Sequence, residues 1–190
     1  SNLAVYSLKA YAEDPAVEIG EYTINQQKDD ILMDIYKRQP DILCLSCYIW
    51  NLDYIEEIVL EIGKLRPDMP IWLGGPEVSY HAEEMLEQYP FLDGIMKGEG
   101  EITFRELAVY YQNQENGTEG KTLEEIHGIT YRDAEGAIKS NPWRPVMDLS
   151  EVDFPYANLK KFENRIIYYE SSRGCPFSCS YLSLIHISEP

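Results

Sequence analysis

Three apolar runs, each feeding a stretch of helical period, constrain this chain more than any other feature. Residues 42–48 begin Ile42, Leu43, Cys44, Leu45 and continue through Ser46, Cys47 and Tyr48. A strand this continuously apolar belongs inside a parallel sheet, where both faces are covered. Behind it, Leu52, Ile55, Val59 and Ile62 recur as one buried helical stripe, with Asn51 placed as the cap. Asp53, Glu56 and Glu57 fall in the first turns, where the helix dipole favours negative charge. The unit then repeats. Residues 69–75 end on Gly74 and Gly75, and a helix bearing Ala82, Met85, Leu86 and Tyr89 opens at Ser79. Residues 93–97 lead through Gly98, Glu99, Gly100 and Glu101 into a helix with Phe104, Leu107, Ala108 and Tyr111. This alternation predicts βα units, a parallel sheet and helices on both of its faces.

On either side of that block the pattern is weaker. Asn2 is a good cap for a first helix carrying Leu3, Tyr6 and Leu8, which ends at Asp14-Pro15. No strand precedes it, so the α/β unit is expected to lack its first strand. Residues 17–24 alternate and predict an edge strand, and Asp29-Asp30 caps a helix with Ile31, Leu32 and Ile35. Residues 128–132 and 137–140 flank Asp133-Ala134-Glu135-Gly136 as a hairpin. Residues 141–156, with Pro142, Pro145 and Pro155, read as an extended linker. The aromatic run 165–169 reads as one more strand. The expected division is therefore a domain at 1–125, a hairpin and linker at 126–160, and the start of a further unit at 161–181.

Composition narrows what such a chain can bind. Hydrophobic residues make up 44% of 190, enough for a real core. The formal net charge is -17. That surface repels phosphate backbones and anionic membranes, so neither nucleic acid nor membrane is an expected partner. No apolar run approaches the roughly 20 residues that span a bilayer. The expectation is a cytoplasmic protein. Cys44 and Cys47 stand three apart on a strand, which puts their thiols on opposite faces. They read as core residues rather than a metal or redox pair.

In an open parallel sheet, ligands bind beyond the carboxyl ends of the strands. The residues there are Ser46, Cys47 and Tyr48; Gly74, Gly75, Pro76 and Glu77; and Gly98, Glu99 and Gly100. The glycines admit a close approach to backbone. They are also consistent with simple turns, and Glu99 and Glu101 with helix-start carboxylates. The motifs L-G-G-P-E-V-S and K-G-E-G-E-x-T-F-R-E-L resemble the flavodoxin-like (Rossmann-like) cobalamin-binding domain that precedes many radical S-adenosylmethionine (SAM) cores. The resemblance covers most of residues 1–172. It implies that Ser46 matches the serine after that family's third strand, and that Gly74-Gly75 makes room for the cofactor's nucleotide tail. The D-x-H-x-x-G cobalt-ligating motif of many such domains is absent. His81 and His127 lie elsewhere, so no cobalt ligand is assigned.

Downstream, Arg173-Gly174-Cys175-Pro176-Phe177-Ser178-Cys179-Ser180-Tyr181 resembles the opening of a radical SAM core. There C-x-x-x-C-x-ϕ-C follows the first barrel strand and holds a 4Fe–4S cluster, leaving one iron for SAM. Cys175, Cys179 and the aromatic Tyr181 match, and Leu182 stands where the third cysteine belongs. Residues 182–190, LSLIHISEP, resemble the translation of a sequencing-library adapter. The expectation is therefore a fragment whose native chain continues with Cys at 182. The resemblance implies the cobalamin-binding portion of a B12-dependent radical SAM enzyme, using a cluster and SAM when intact and inactive as given. A non-catalytic flavodoxin-like module for a nucleotide, a flavin or a protein partner is the competing expectation. A zinc site at Cys175 and Cys179 is a further alternative.

Overall fold

The computed structural model describes residues 2–152, 154–156 and 159–173. The three apolar runs form β1 (Leu43–Ser46), β2 (Ile71–Gly74) and β3 (Gly94–Met96), paired in parallel in that order. Ser46 lies opposite Gly74, and Gly74 opposite Met96, so the three carboxyl ends reach one edge together. The helices are α1 (Leu3–Ala12), α2 (Lys28–Arg38), α3 (Leu52–Leu65), α4 (Pro76–Ser79), α5 (Ala82–Gln88) and α6 (Glu101–Asn116). Among the described residues, no helix is long and apolar enough to cross a membrane.

The sheet is mixed rather than wholly parallel. The hairpin of β4 (Ile129–Arg132) and β5 (Ile138–Ser140) adds to the open side of β3, with β4 antiparallel to it. Backbone N–H groups of Lys97 and Arg132 extend that pairing, donating to the carbonyls of Gly128 (2.7 Å) and Asp93 (2.8 Å). An antiparallel partner satisfies a strand edge as well as a parallel one, and a hairpin needs no crossover helix. The turn is held by the Asp133 carboxylate, which accepts from the backbone N–H groups of Glu135 and Ala137, with Gly136 at φ 85°.

The pleat sorts side chains into two cores. Ile71, Leu73 and Ile95 pack with Ile31 and Ile35 of α2, Ile55, Val59 and Ile62 of α3, and Leu86 of α5. On the other face, Trp72 and Met96 pack with Leu107 of α6 and with Ile126, Ile129 and Tyr131. Cys47 sits in the first core and Cys44 against the second, as their spacing predicts. Helix α1 lies on α6.

Several local expectations are corrected. Residues 17–24 form no ladder. Tyr22 instead turns toward α2 and donates to Asp34 Oδ2 at 2.5 Å. All four residues of β1 are only half-buried, because β1 is an edge strand here and not a central one. Asp29 and Asp30 lie in the first turn of α2, while Gln27 takes the cap position. The helix expected from Ser79 is split: Ser79 ends α4, and α5 begins at Ala82. Residues 165–169 are not a strand; Ile166 and Tyr169 are about 70% exposed, at 72% and 69%.

Gly94 illustrates how tightly the second core is set. An added Cβ there would overlap the Trp72 ring, which is fully buried and donates through Nε1 to the Tyr111 hydroxyl at 2.8 Å. Gly94→Ala is expected to destabilise the fold by about 1–3 kcal/mol, read as a lower urea midpoint with an unchanged slope.

Candidate functional site

The carboxyl-terminal edge of the sheet is built from three loops that hydrogen-bond to one another. In the first, the Cys47 N–H donates to the Gly74 carbonyl at 2.7 Å, carrying the β1–β2 pairing one residue past the strand. Asn51 stands at the start of α3, yet its side chain does not cap that helix. Its Oδ1 accepts from the Tyr48 N–H (2.7 Å) and its Nδ2 donates to the Ser46 carbonyl (3.0 Å). The amide therefore braces the loop from within. Outside it, the Tyr48 and Trp50 rings stack with centroids 4.6 Å apart and planes 6° apart. Trp50 remains 65% exposed.

The second loop begins at Gly74-Gly75. Gly75 has φ 119°, and an added Cβ would overlap the Cys47 carbonyl oxygen. Only glycine fits there, both conformationally and sterically. Gly74 differs: an added Cβ would meet nothing nearer than Met96, at 3.5 Å. Packing does not demand glycine at that position, and its bare α-carbon leaves the edge open. Pro76 takes the first turn of α4, with half-buried Glu77 beside it. Buried Ser79 donates from Oγ to the Gly75 carbonyl (2.8 Å) and accepts from the Gly98 N–H (3.2 Å), joining the second loop to the third.

The third loop carries most of the charge. Lys97 is buried and donates to Ser140 Oγ (2.8 Å) and the Asn141 carbonyl (2.9 Å), with its ammonium 5.4 Å from the Trp143 ring centroid. Burial lowers its pKa from the usual lysine value. Gly98 follows at φ 70°, with Trp143 packed against it. Gly100 lies under Leu8 of α1. Glu99 Oε2 accepts from the Met147 N–H at 2.6 Å, which holds the linker over this loop. Glu101, in the first turn of α6, is 4% exposed and accepts from Ser7 Oγ at 2.9 Å. Arg173 pairs with both its oxygens, at 2.5 and 3.2 Å. Burial alone would raise the Glu101 carboxyl, and Arg173, the helix-start backbone and Ser7 together hold it below its usual range.

Ser46, Cys47, Tyr48, Gly74, Gly75, Pro76, Glu77, Gly98, Glu99 and Gly100 thus all lie on or immediately beyond one edge. The thiol of Cys47 points away from it into the first core, and burial pushes that thiol up to about 12. Asn51, read from sequence as a helix cap, braces the first loop instead, and Ser79, Lys97 and Arg173 stand inside the quoted motifs, which carry no sign of the contacts these side chains make. Cys175 and Cys179 lie outside the described residues. Among the described residues, no group of His, Cys, Asp and Glu is arranged to hold a metal ion. His81 is exposed beside Glu84, and His127 lies in the loop before β4.

With this geometry in hand, the comparisons with known proteins agree in one direction. The family model for the B12 binding domain matches residues 1–108. The 2-(S-pantetheinyl)-carbapenam-3-carboxylate methyltransferase of Streptantibioticus cattleyicolor is 28% identical over 92% of this chain and 27% of its own length. The cobalamin-dependent radical SAM methyltransferase TokK of Streptomyces tokunonensis is 29% identical over 75% of this chain and 22% of its own. The solved structure of the cobalamin-dependent SAM radical enzyme OxsB, with aqua-cobalamin and SAM bound, superposes with a TM-score of 0.68 at 27% identity. It covers 84% of this chain and 22% of that one. The chain spans about a quarter of the length of these relatives.

Two outcomes are expected from this geometry. Burial raises Cys44 and Cys47 to about 12, so iodoacetamide at pH 8 should leave both unmodified in the folded chain and alkylate both in urea. Gly75→Ala should destabilise the chain by at least about 2 kcal/mol, whereas Gly74→Ala should stay within about 1 kcal/mol of wild type, both by urea titration.

Proposed function

Because the chain belongs to the B12-binding domain family and is related to cobalamin-dependent radical SAM enzymes, we propose that its glycine-lined edge holds a cobalamin and that it is the cobalamin-binding portion of a B12-dependent radical SAM enzyme. The observation that carries this reading is the contrast between the two adjacent glycines. Gly75 is required by the approach of the Cys47 backbone, whereas among the described residues a Cβ on Gly74 would meet only Met96, at ordinary contact distance. A cofactor tail running across the strand ends gives Gly74 a reason.

The residues present fit the group. Ser46, Gly74, Gly75, Pro76 and Glu77 would line the tail's passage. The stacked faces of Tyr48 and Trp50 offer apolar area to a macrocycle. The loop of Gly98, Glu99 and Gly100 would bound the third side from behind, since Trp143 and Leu8 already cover its two glycines. No cobalt ligand is assigned to any of them. When bound, cobalamin supplies a cobalt centre that can carry a methyl group or assist radical chemistry. This chain's part is to hold and orient it, and to keep the three loops from shifting when it binds.

In the intact protein, Cys175 and Cys179, with a third thiolate at 182, would hold a 4Fe–4S cluster at which SAM is cleaved reductively. With Leu182 where the third thiolate belongs, the 190-residue chain as given is inactive in this reading. Methyl transfer, the activity named for TokK, is the reaction class we favour for the intact protein.

The test is retention. The purified chain is mixed with hydroxocobalamin or with FMN, desalted, and its absorbance recorded. A retained corrinoid spectrum is expected, and retained FMN without corrinoid would instead favour a flavodoxin-like flavin module. Gly74→Ala should keep the fold and weaken corrinoid binding by roughly 5- to 150-fold, the effect of one methyl group forced into a filled space.

A further inference from the structure

The ion network around Arg173 joins two parts of the chain that lie far apart in sequence. Arg173 lies two residues before Cys175 in the sequence and 72 residues after Glu101. Its guanidinium makes a fork on the Glu101 carboxylate and reaches Glu99 at 3.5 Å and Glu170 at 2.9 Å. The side chains are well covered, 17% exposed for Arg173 and 5% for Glu101. Planar, bidentate and desolvated pairs of this kind fix orientation as well as contributing energy. Two of these three carboxylates, Glu99 and Glu101, flank Gly100 after β3.

The stretch ending at Arg173 is anchored at its other end as well. Tyr156 and Phe162 are buried against Tyr6 of α1, with ring centroids 5.5 and 5.1 Å from it. Arg165 pairs with Glu21 at 3.0 Å, and the Tyr156 hydroxyl donates to the Tyr168 carbonyl at 2.8 Å. Between these anchors, Tyr168 and Tyr169 are 58% and 69% exposed and form no strand pairing. The stretch is therefore a strap held at two points, and one of those points is the rim loop itself.

We propose that Arg173 is a positioning residue: its pairing with Glu101 and Glu99 ties the segment entering the cysteine motif to the cobalamin rim, so that filling the rim and seating that segment favour each other. This rests on the cobalamin reading above. The physical link is the loop of residues 97–101. A ligand across Gly74 and Gly75 bears on this loop through Ser79, which bonds to both Gly75 and Gly98, and so narrows the positions open to Glu99 and Glu101, the arginine's acceptors. Whatever coupling results is reciprocal: seating the strap strengthens ligand binding by the same factor that ligand strengthens seating.

The experiment uses the 190-residue chain, hydroxocobalamin as probe, and chymotrypsin cleavage at Tyr168 and Tyr169 as the measure of seating. In wild type, saturating hydroxocobalamin should slow that cleavage at least about 5-fold. R173Q should be cleaved faster without ligand and should lose the response, and R173K, which keeps the charge but not the fork, should fall between. R173Q also strands a buried carboxylate, so a loss of stability alone could loosen the strap. The E101Q/R173Q pair removes both charges. It should regain the wild-type melting temperature while still failing to respond to hydroxocobalamin. A full response in R173Q, or a restored response in the pair, would overturn the proposal. So would a wild-type chain that binds hydroxocobalamin with no change in cleavage. If wild type retains no corrinoid, the functional reading fails separately, and equal cleavage of ligand-free wild type and R173Q would still sink the tether.

Discussion

The approach of the Gly75 α-carbon to the Cys47 carbonyl is the contact on which the carboxyl-terminal edge of this sheet depends. It forces glycine at one position, at a backbone angle other residues avoid. It also brings the β1–α3 and β2–α4 loops to hydrogen-bonding distance, where Cys47 donates to Gly74. Ser79 then passes the constraint to the third loop by bonding to Gly75 and Gly98 at once. Three strand ends that need only be parallel are thereby held as one rim. A preorganised rim of this kind binds a ligand without first having to order itself.

The same rim is where the rest of the chain attaches. Lys97 fastens the end of the β4–β5 hairpin, Glu99 the linker at Met147, and Glu101 the strap at Arg173. A buried lysine and a buried glutamate are costly unless paired or hydrogen-bonded; here Lys97 donates to Ser140 and Asn141, and Glu101 pairs with Arg173. Polar groups at this edge thus serve as attachment points, while the apolar clusters on the two sheet faces supply the general stability. Membership of the B12-binding family and the relation to cobalamin-dependent radical SAM enzymes give that arrangement its most economical purpose.

Much of this was legible in the residues, for identifiable reasons. The runs that became β1, β2 and β3 are bounded by helix-period stretches, and βα alternation leaves few other solutions. The strand ends could be named because parallel strands share a direction. Where local pattern lacked a partner, it misled. Residues 17–24 alternate but join no ladder among the described residues, and Tyr22 finds Asp34 instead. Residues 165–169 have strand-like composition without a ladder to join. The hairpin was recognised, yet its joining of β3 was not, because open edges are a property of the assembled sheet. The Arg173–Glu101 pair spans 72 residues with no periodic signature, so only the folded chain reveals it.

The central claim is that the three linked loops form one ligand rim, and amide hydrogen exchange with and without hydroxocobalamin tests it most directly. Slowed exchange should be greatest in residues 46–51, 74–79 and 97–101, all three together, because the loops share hydrogen bonds. Unchanged exchange in those segments, with protection appearing elsewhere in a chain that demonstrably retains the corrinoid, would contradict the account.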